Sequence, residues 1–281
     1  MWRFRRKRQE PAPIVTTTTT STQADMSVTV TFSRVAGEIP EIANYYVATA
    51  AGGGSDSNPG TIGSPFATIG KADSVVSAGQ LIYVRGGTYS LSGSTYIRIE
   101  TNNGTAGNLI RCWAYPGETP IIDGTGITGV GSPNLLLNSN YWHLKGLEIK
   151  NAYQHGIQLS GSNNTIEFCN VHSSCRVSGS GANISLEGTA ANNLILNNDC
   201  HHCDRLGQSA TGGDGIGDNS SGVGNIIRYN RVYRNHDDGI DLWTGRNGLI
   251  EGNWCWQNGY DDSLVKTSGN GVGIKMGGGG G

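Results

Sequence analysis

The residues best equipped for chemistry lie in the stretch NHDDGIDLW, residues 235–243, where Asp237, Asp238 and Asp241 fall within five positions beside Ile240, Leu242 and Trp243. An earlier segment, DGIGD at 214–218, repeats the Asp-Gly-Ile pattern, and a later one, VGIKM at 272–276, repeats it with Lys275 in place of an acid. Taken singly, Asp-Gly is ordinary turn chemistry and needs no function. Four carboxylates and an amine on one phase of a repeat are another matter, because like charges repel unless a cation sits among them. All-oxygen donors on a flexible rim suit a hard ion, Ca2+ better than Zn2+ or a strictly octahedral Mg2+. The spacing does not match the twelve-residue EF-hand loop, so the site must be assembled between segments.

A repeat supplies the segments. WHLKGLEIKNA, TIEFCNVHSSC, NLILNNDCHHC, NIIRYNRVYRN and GLIEGNWCWQN each read as a short strand, a turn and a second short strand. In four of them an asparagine recurs, Asn170, Asn198, Asn230 and Asn253, which reads as a hydrogen-bonded ladder at a turn. A further element follows each one: HGIQL, NISLE, DGIGD, DGIDL and VGIKM. Constant strands with variable loops describe a solenoid whose coils stack, and we expect an all-β, right-handed parallel β-helix. Residues in one column then lie ~4.8 Å apart. One column reads Gln158, Ser185, Gly217, Asp241, Lys275, and another reads His155, Ala182, Asp214, Asp238, Val272. On that reading Asp214 lies beneath Asp238, with Asp237 and Asp241 close by and Lys275 one coil above Asp241.

Composition agrees with many short strands: 281 residues hold 44 glycines, and only 15% are charged. A net charge of −2 offers no global field for nucleic acid. No window approaches the ~18 apolar residues of a membrane span. The basic start MWRFRRKRQEPAPIV lacks the apolar core of a signal peptide, and TTTTTSTQ follows it, so residues 1–42 read as a disordered tail before a domain at 43–281. In SPFATIGKADSVV, residues Phe66, Ile69, Ala72, Val75 and Val76 share one face of a short helix that would cap the N-terminal end of the solenoid. The CHHC of residues 200–203 leaves three readings open. They are buried thiols, a Cys175–Cys203 bridge, and a zinc site in which His172 shares the column of Cys200.

The run GGDGIGDNSSGVGNIIRYNRVYRNHDDGIDLW followed by GNGVGIKMGGGG closely resembles the family 9 polysaccharide lyases, calcium-dependent pectate lyases on a right-handed parallel β-helix. YYVATAAGGGSDSNPGTIGSPFATIGKA and IYVRGGTY look like the cap and first coil of the same group. The resemblance implies calcium ligands at Asp214, Asp237, Asp238 and Asp241, and a Brønsted base at Lys275. The implied reaction removes the C5 proton of a uronate and expels the 4-linked sugar, with the metal acting as a Lewis acid on the substrate carboxylate. Lysine's ordinary value near ~10.4 makes an alkaline optimum the expectation. Arg228, Arg231, Arg234 and Arg246 lie on or beside the same coils and could clamp further uronates; each also reads well as an ordinary surface cation. His236 reads as a loop residue or a supporting partner of the aspartates.

The expectation is therefore a monomeric, secreted lyase for de-esterified polygalacturonate, although no signal peptide is visible. A lyase for another uronate polymer, alginate or rhamnogalacturonan, fits the same residues. A non-catalytic, tail-spike-like glycan binder is the alternative from another class. The resemblance also implies coils beyond Lys275, so C-terminal coils are expected to be missing and the chain as given to be weakly active.

Overall fold

A computed structural model describes residues 41–129, 131–176, 181–203 and 212–277, with the two-residue strands Thr16–Thr17 and Val30–Thr31. The chain divides into two units, Met1–Glu41 and Ile42–Gly281. In the first, the described strands pair antiparallel. The disorder expected of residues 1–42 falls mostly outside the described residues.

The second unit is wound from three parallel sheets. The first runs through Tyr45–Val47, Leu81–Val84, Ile110–Ala114, Trp142–Lys145, Thr165–Glu167, Leu194–Leu196, Ile226–Arg228 and Leu249–Glu251. A second holds Gly87–Gly93, Pro120–Ile127, Glu148–Lys150, Asn170–His172, Asp199–His201, Arg231–Tyr233 and Trp254–Trp256. The third holds Ile97–Ile99, Leu135–Leu137, Ile157–Leu159, Ala182–Leu186, Asp214–Asp218, Ile240–Leu242 and Ile274–Met276. From Leu81 onward each coil contributes one strand to each sheet, and Tyr45–Val47 adds an eighth strand to the first. The expected parallel β-helix is therefore the fold.

Three-residue strands suffice because one inward side chain per strand stacks on its equivalents above and below. The first sheet contributes Ile82, Cys112, Leu144, Ile166, Ile195 and Ile227 in register, the second Ile122, Ile149, Val171, Cys200 and Val232, and the third Ile157, Ile184, Ile216 and Ile240. All are buried. Each such side chain contributes roughly 1.5–3 kcal/mol relative to exposure, and together they form one continuous core. The corners are tight and left-handed: Phe168, Asn197 and Tyr229 have φ of 51°, 54° and 57° between the first and second sheets. Ser173, His202, Arg234 and Gln257 have φ of 55°, 53°, 51° and 54° after the second. Non-glycine residues dislike that conformation, so something else must hold the corners.

Asparagine ladders hold them. In one, Asn198 donates Nδ2–H to Asn230 Oδ1 at 3.0 Å, and Asn230 does the same to Asn253 at 2.9 Å. Its lower end is Cys169, whose N–H donates to Asn198 Oδ1 at 2.9 Å. Asn170, expected in this column, instead pairs in register with Asp199. The core residues Val171 and Cys200 set the register, and matching asparagines by name shifts the alignment by one. The sequence reading also missed two ladders, Asn164–Asn193–Asn225 and Asn183–Asn235–Asn258.

The helix Ile69–Asp73 packs against Ile97–Ile99 and Tyr45–Val47 at the N-terminal end, as a cap should. Thr68 caps it by accepting from Lys71 N–H, and Asp73 ties it down by accepting from the N–H groups of Glu100, Thr101 and Asn102. Phe66, Ile69, Ala72 and Val76 are buried, but Val75 is 37% exposed, because the helix ends at Asp73 and the chain turns away. The cysteine readings divide: Cys175 and Cys203 are joined, with Cα atoms 5.4 Å apart, and Cys200 is a buried free thiol. Cys200 sits in the core beside Val171, and His172 stands beside His201 rather than Cys200, so no zinc set assembles from those four. Outside the second sheet the rings of His172, His201, Tyr233 and Trp256 stack at centroid separations of 4.9, 4.8 and 4.3 Å. Burial in that stack, helped by His172, pushes His201 down to about 3.

Candidate active site on the third sheet

The upper coils of the third sheet carry the acidic residues. Gly217 pairs in register with Asp241, and Asp241 with Lys275, as the column reading requires. Asp214 lies one coil below Asp238 and accepts its N–H at 3.0 Å. The glycine of each Asp-Gly-Ile segment is there for want of space: a Cβ on Gly215 would stand 2.1 Å from Val232 Cγ1, and one on Gly239 would stand 2.4 Å from Gly273 O. The missing side chain lets the chain pass close to its neighbours at this point, where the aspartate joins the carboxylate cluster and the isoleucine the core.

Three carboxylates converge. Asp214, Asp238 and Asp241 each offer an oxygen within 4.8 Å of the others. Lys275 Nζ donates to Asp241 Oδ2 at 2.8 Å and to Asp238 Oδ2 at 3.1 Å, and Asp238 Oδ1 accepts from Val272 N–H at 2.9 Å. Asp237, expected as a fourth member, is turned to the backbone. Its two oxygens accept from Gly212 N–H at 2.7 Å and Asn270 N–H at 2.5 Å. It contributes field instead of an oxygen to the cluster, since its charge helps to raise Asp214.

Burial pushes Asp214 well above the usual carboxylate range; the N–H of Asp238 opposes this, and the neighbouring aspartates add to it. Asp241 is also raised, by burial first, with Lys275 pulling it down. Burial alone would lower Lys275, but its bonds to Asp241 and Asp238 outweigh that and the net direction is up. Asp238 is fully buried, and Asp241 Oδ1 is buried without a hydrogen-bond partner. A stranded carboxylate oxygen beside two more carboxylates, with one amine to neutralise them, is a donor set that suits a hard divalent cation.

The arginines behave differently. Arg228 is on the first sheet, paired with Glu251 at 2.6 Å, and Arg231 is on the second, paired with Asp199. Arg234, at the corner before the third sheet, meets Asp262 at 3.2 Å, and Arg246 follows the third sheet at a bridge to Val223. None is brought into the carboxylate cluster. His236 lies in the turn before Asp237, with Nε2 3.1 Å from Ser268 Oγ. A residue the sequence reading passed over is Trp243: it is 45% exposed and its ring centroid lies 5.2 Å from Lys275 Nζ. The signal was present, since positions 241 and 243 point to the same side of an extended chain.

A family model described as "Pel9A-like, right handed beta helix region" matches residues 45–281. "Pectate lyase PEL9" of Emericella nidulans is 30% identical over 257 residues, covering 80% of this chain and 61% of that protein. The solved structure of pectate lyase Pel9A superposes with a TM-score of 0.72 at 26% identity, covering 83% of this chain and 58% of that one. One of a rhamnogalacturonan lyase gives 0.71 at 27%, covering 84% and 62%. The chain thus spans about three-fifths of the length of these relatives.

Proposed function

The chain belongs to the Pel9A-like family of right-handed β-helices, and on that premise we propose that its third-sheet site serves the β-elimination of de-esterified polygalacturonate. The observation that carries this reading is the placement of Lys275 Nζ, 2.8 and 3.1 Å from two of three converging carboxylates. Asp214, Asp238 and Asp241 would hold Ca2+, with Asp237 bracing the turn that presents Asp238. Calcium, when bound, would supply a Lewis acid for the uronate carboxylate, making the adjacent C5–H acidic.

Lys275 takes the C5 proton on Nζ. The C5–H electron pair becomes the C4=C5 double bond, the C4–O4 bond breaks, and the departing oxygen is protonated from solvent. Lys275 can do this only as a free amine, and the carboxylates that hold its ammonium proton decide how readily it becomes one. That favours an alkaline optimum. Trp243 forms a wall beside the amine. Of the four arginines, Arg234 and Arg246 lie on turns flanking the third sheet and would meet neighbouring uronates; Arg228 and Arg231 are engaged on other faces. With such a substrate the protein would act outside the cell, and on this reading as a monomer. Among the described residues no helix is long and apolar enough to cross a membrane.

The test is ultraviolet absorbance of unsaturated uronate with polygalacturonate, in Ca2+ and in chelator. A rise in Ca2+ that chelator and Lys275→Ala abolish is expected; no rise in either condition overturns the reading. The likeness to the rhamnogalacturonan lyase structure supports a second substrate, which the same assay with that polymer decides.

A further inference from the structure

The CHHC segment at residues 200–203 has no part in that reaction, and the fold takes its cysteines out of play. Cys200 faces the core and Cys203 is bridged to Cys175. His201 is held flat between His172 and Tyr233, so the direction of its ring edge is set. His202 occupies the left-handed corner that follows, and its ring stands at 83° to that of His201. The Nδ1 atoms of the two rings come within 2.5 Å of each other.

The outer nitrogens decide what belongs in that gap. His201 Nε2 meets Asn170 Oδ1 at 3.0 Å, and His202 Nε2 meets Asp262 Oδ1 at 2.8 Å. An amide oxygen and a carboxylate oxygen accept and do not donate, so each ring carries its proton on Nε2 and offers a lone pair at Nδ1. Two lone pairs at that separation repel, and a positive centre shared between them removes the repulsion. A carboxylate or carbonyl on the far nitrogen is also how metal-bound imidazoles are oriented.

We propose that His201 and His202 form a chelating pair, through Nδ1 of each, for a borderline divalent transition metal ion such as Zn2+, with Asn170 and Asp262 as positioning residues. Water fills the remaining coordination positions. Zinc holds imidazole nitrogens at about 2.05 Å, which sets a tetrahedral pair roughly 3.3 Å apart. The rings must part by under ~1 Å, and His202, with its side chain 22% exposed, has room to move. Ligand hardness separates the two sites: Ca2+ prefers the carboxylates of the third sheet, and a borderline ion prefers imidazole. Asp262 also pairs with Arg234, and its segment runs on to Asn270, whose N–H holds Asp237. An ion at His202 would thus fasten that segment to the coil beneath it.

The experiment uses the untagged chain, washed with chelator, held in excess Ca2+ and titrated with Zn2+ by calorimetry, with imidazole nitrogen NMR at pH 8. One Zn2+ per chain is expected, shifting Nδ1 of His201 and His202 while Nε2 stays protonated. His202→Gln should abolish it. Asp262→Asn, at a side chain 71% exposed and safe for folding, should weaken it roughly 10–100-fold. Asp241→Asn should leave it unchanged. Absence of Zn2+ binding, binding indifferent to His202→Gln, or a proton on either Nδ1 in the metal-free protein would overturn the proposal, the last by making the short contact a plain N–H···N bond.

Discussion

Replacing Asn230 with alanine tests whether the asparagine ladders hold the corners. Asn230 Oδ1 accepts from Asn198 N–H at 2.9 Å and from Asn198 Nδ2 at 3.0 Å. Its Nδ2 donates to Ile195 O at 2.9 Å, to Arg228 O at 3.1 Å and to Asn253 Oδ1 at 2.9 Å. Asn198 Nδ2 keeps a second acceptor in Ile166 O, but Asn198 N–H loses the partner that Asn230 supplies, in a place where water does not reach. That buried N–H bears the main loss, at about 1–3 kcal/mol, and the bonds lost from Nδ2 add roughly 1 kcal/mol, so Asn230→Ala should cost roughly 2–4 kcal/mol. Asn253→Ala removes fewer bonds at a less buried rung and should cost about 1 kcal/mol. Asn230→Asp keeps the acceptor for Asn198 but buries a charge, so its folded pKa rises above the unfolded value. Its stability is then greatest below the unfolded carboxylate value of ~3.9 and is lost as pH rises through the folded one. Urea unfolding followed by circular dichroism at fixed Ca2+ reads all three. A loss under 1 kcal/mol for Asn230→Ala at unchanged m-value, or one equal to that of Asn253→Ala, would refute the reasoning.

Lys275→Arg preserves the ion pairs but cannot give up its proton, so turnover should fall by ~10²–10⁴-fold while the unfolding midpoint holds; retained turnover would clear Lys275 of the base role. Asp241→Asn should weaken Ca2+ binding by calorimetry more than Asp237→Asn does, because the Asp237 oxygens already serve Gly212 and Asn270. Burial pushes His155 down to about 4, partly offset by Glu187. The unfolded chain therefore takes up a proton near ~6.5 that the folded one refuses, and this contribution, at most about 3 kcal/mol, is complete above that pH and lost between 6.5 and 4. His155→Gln should flatten that limb of the pH–stability curve. Reducing Cys175–Cys203, separated by 28 residues, should cost about 3–4 kcal/mol in guanidinium titrations.

The columns through Asp241 and Lys275 were legible because an invariant isoleucine locks the phase: a core residue every coil leaves the rim residues nowhere else to go. The same column logic contained the arginine pairs as well. Arg231 is in register with Asp199, and Arg228 with Glu251, so their partners were one strand away in the alignment. What could not be read was whatever depends on corners. Asp237 is occupied by N–H groups of Gly212 and Asn270, which belong to turns of irregular length and share no column with it. Asn170 misled because an asparagine stands one place beyond the true rung, filled in that coil by Cys169. The cysteine bridge was among the readings but could not be singled out, for a related reason: both partners lie past the second sheet, where strand alternation no longer says which way a side chain points.

Because Asp214, Asp238 and Lys275 come from three consecutive coils, the rim is completed in the order of synthesis. A nascent chain wound as far as Leu242 already presents the carboxylates, with their mutual repulsion at its greatest and no amine to relieve it. Capture of a cation at that stage would help to close the coil, so the ion would act on the newborn chain as a folding aid.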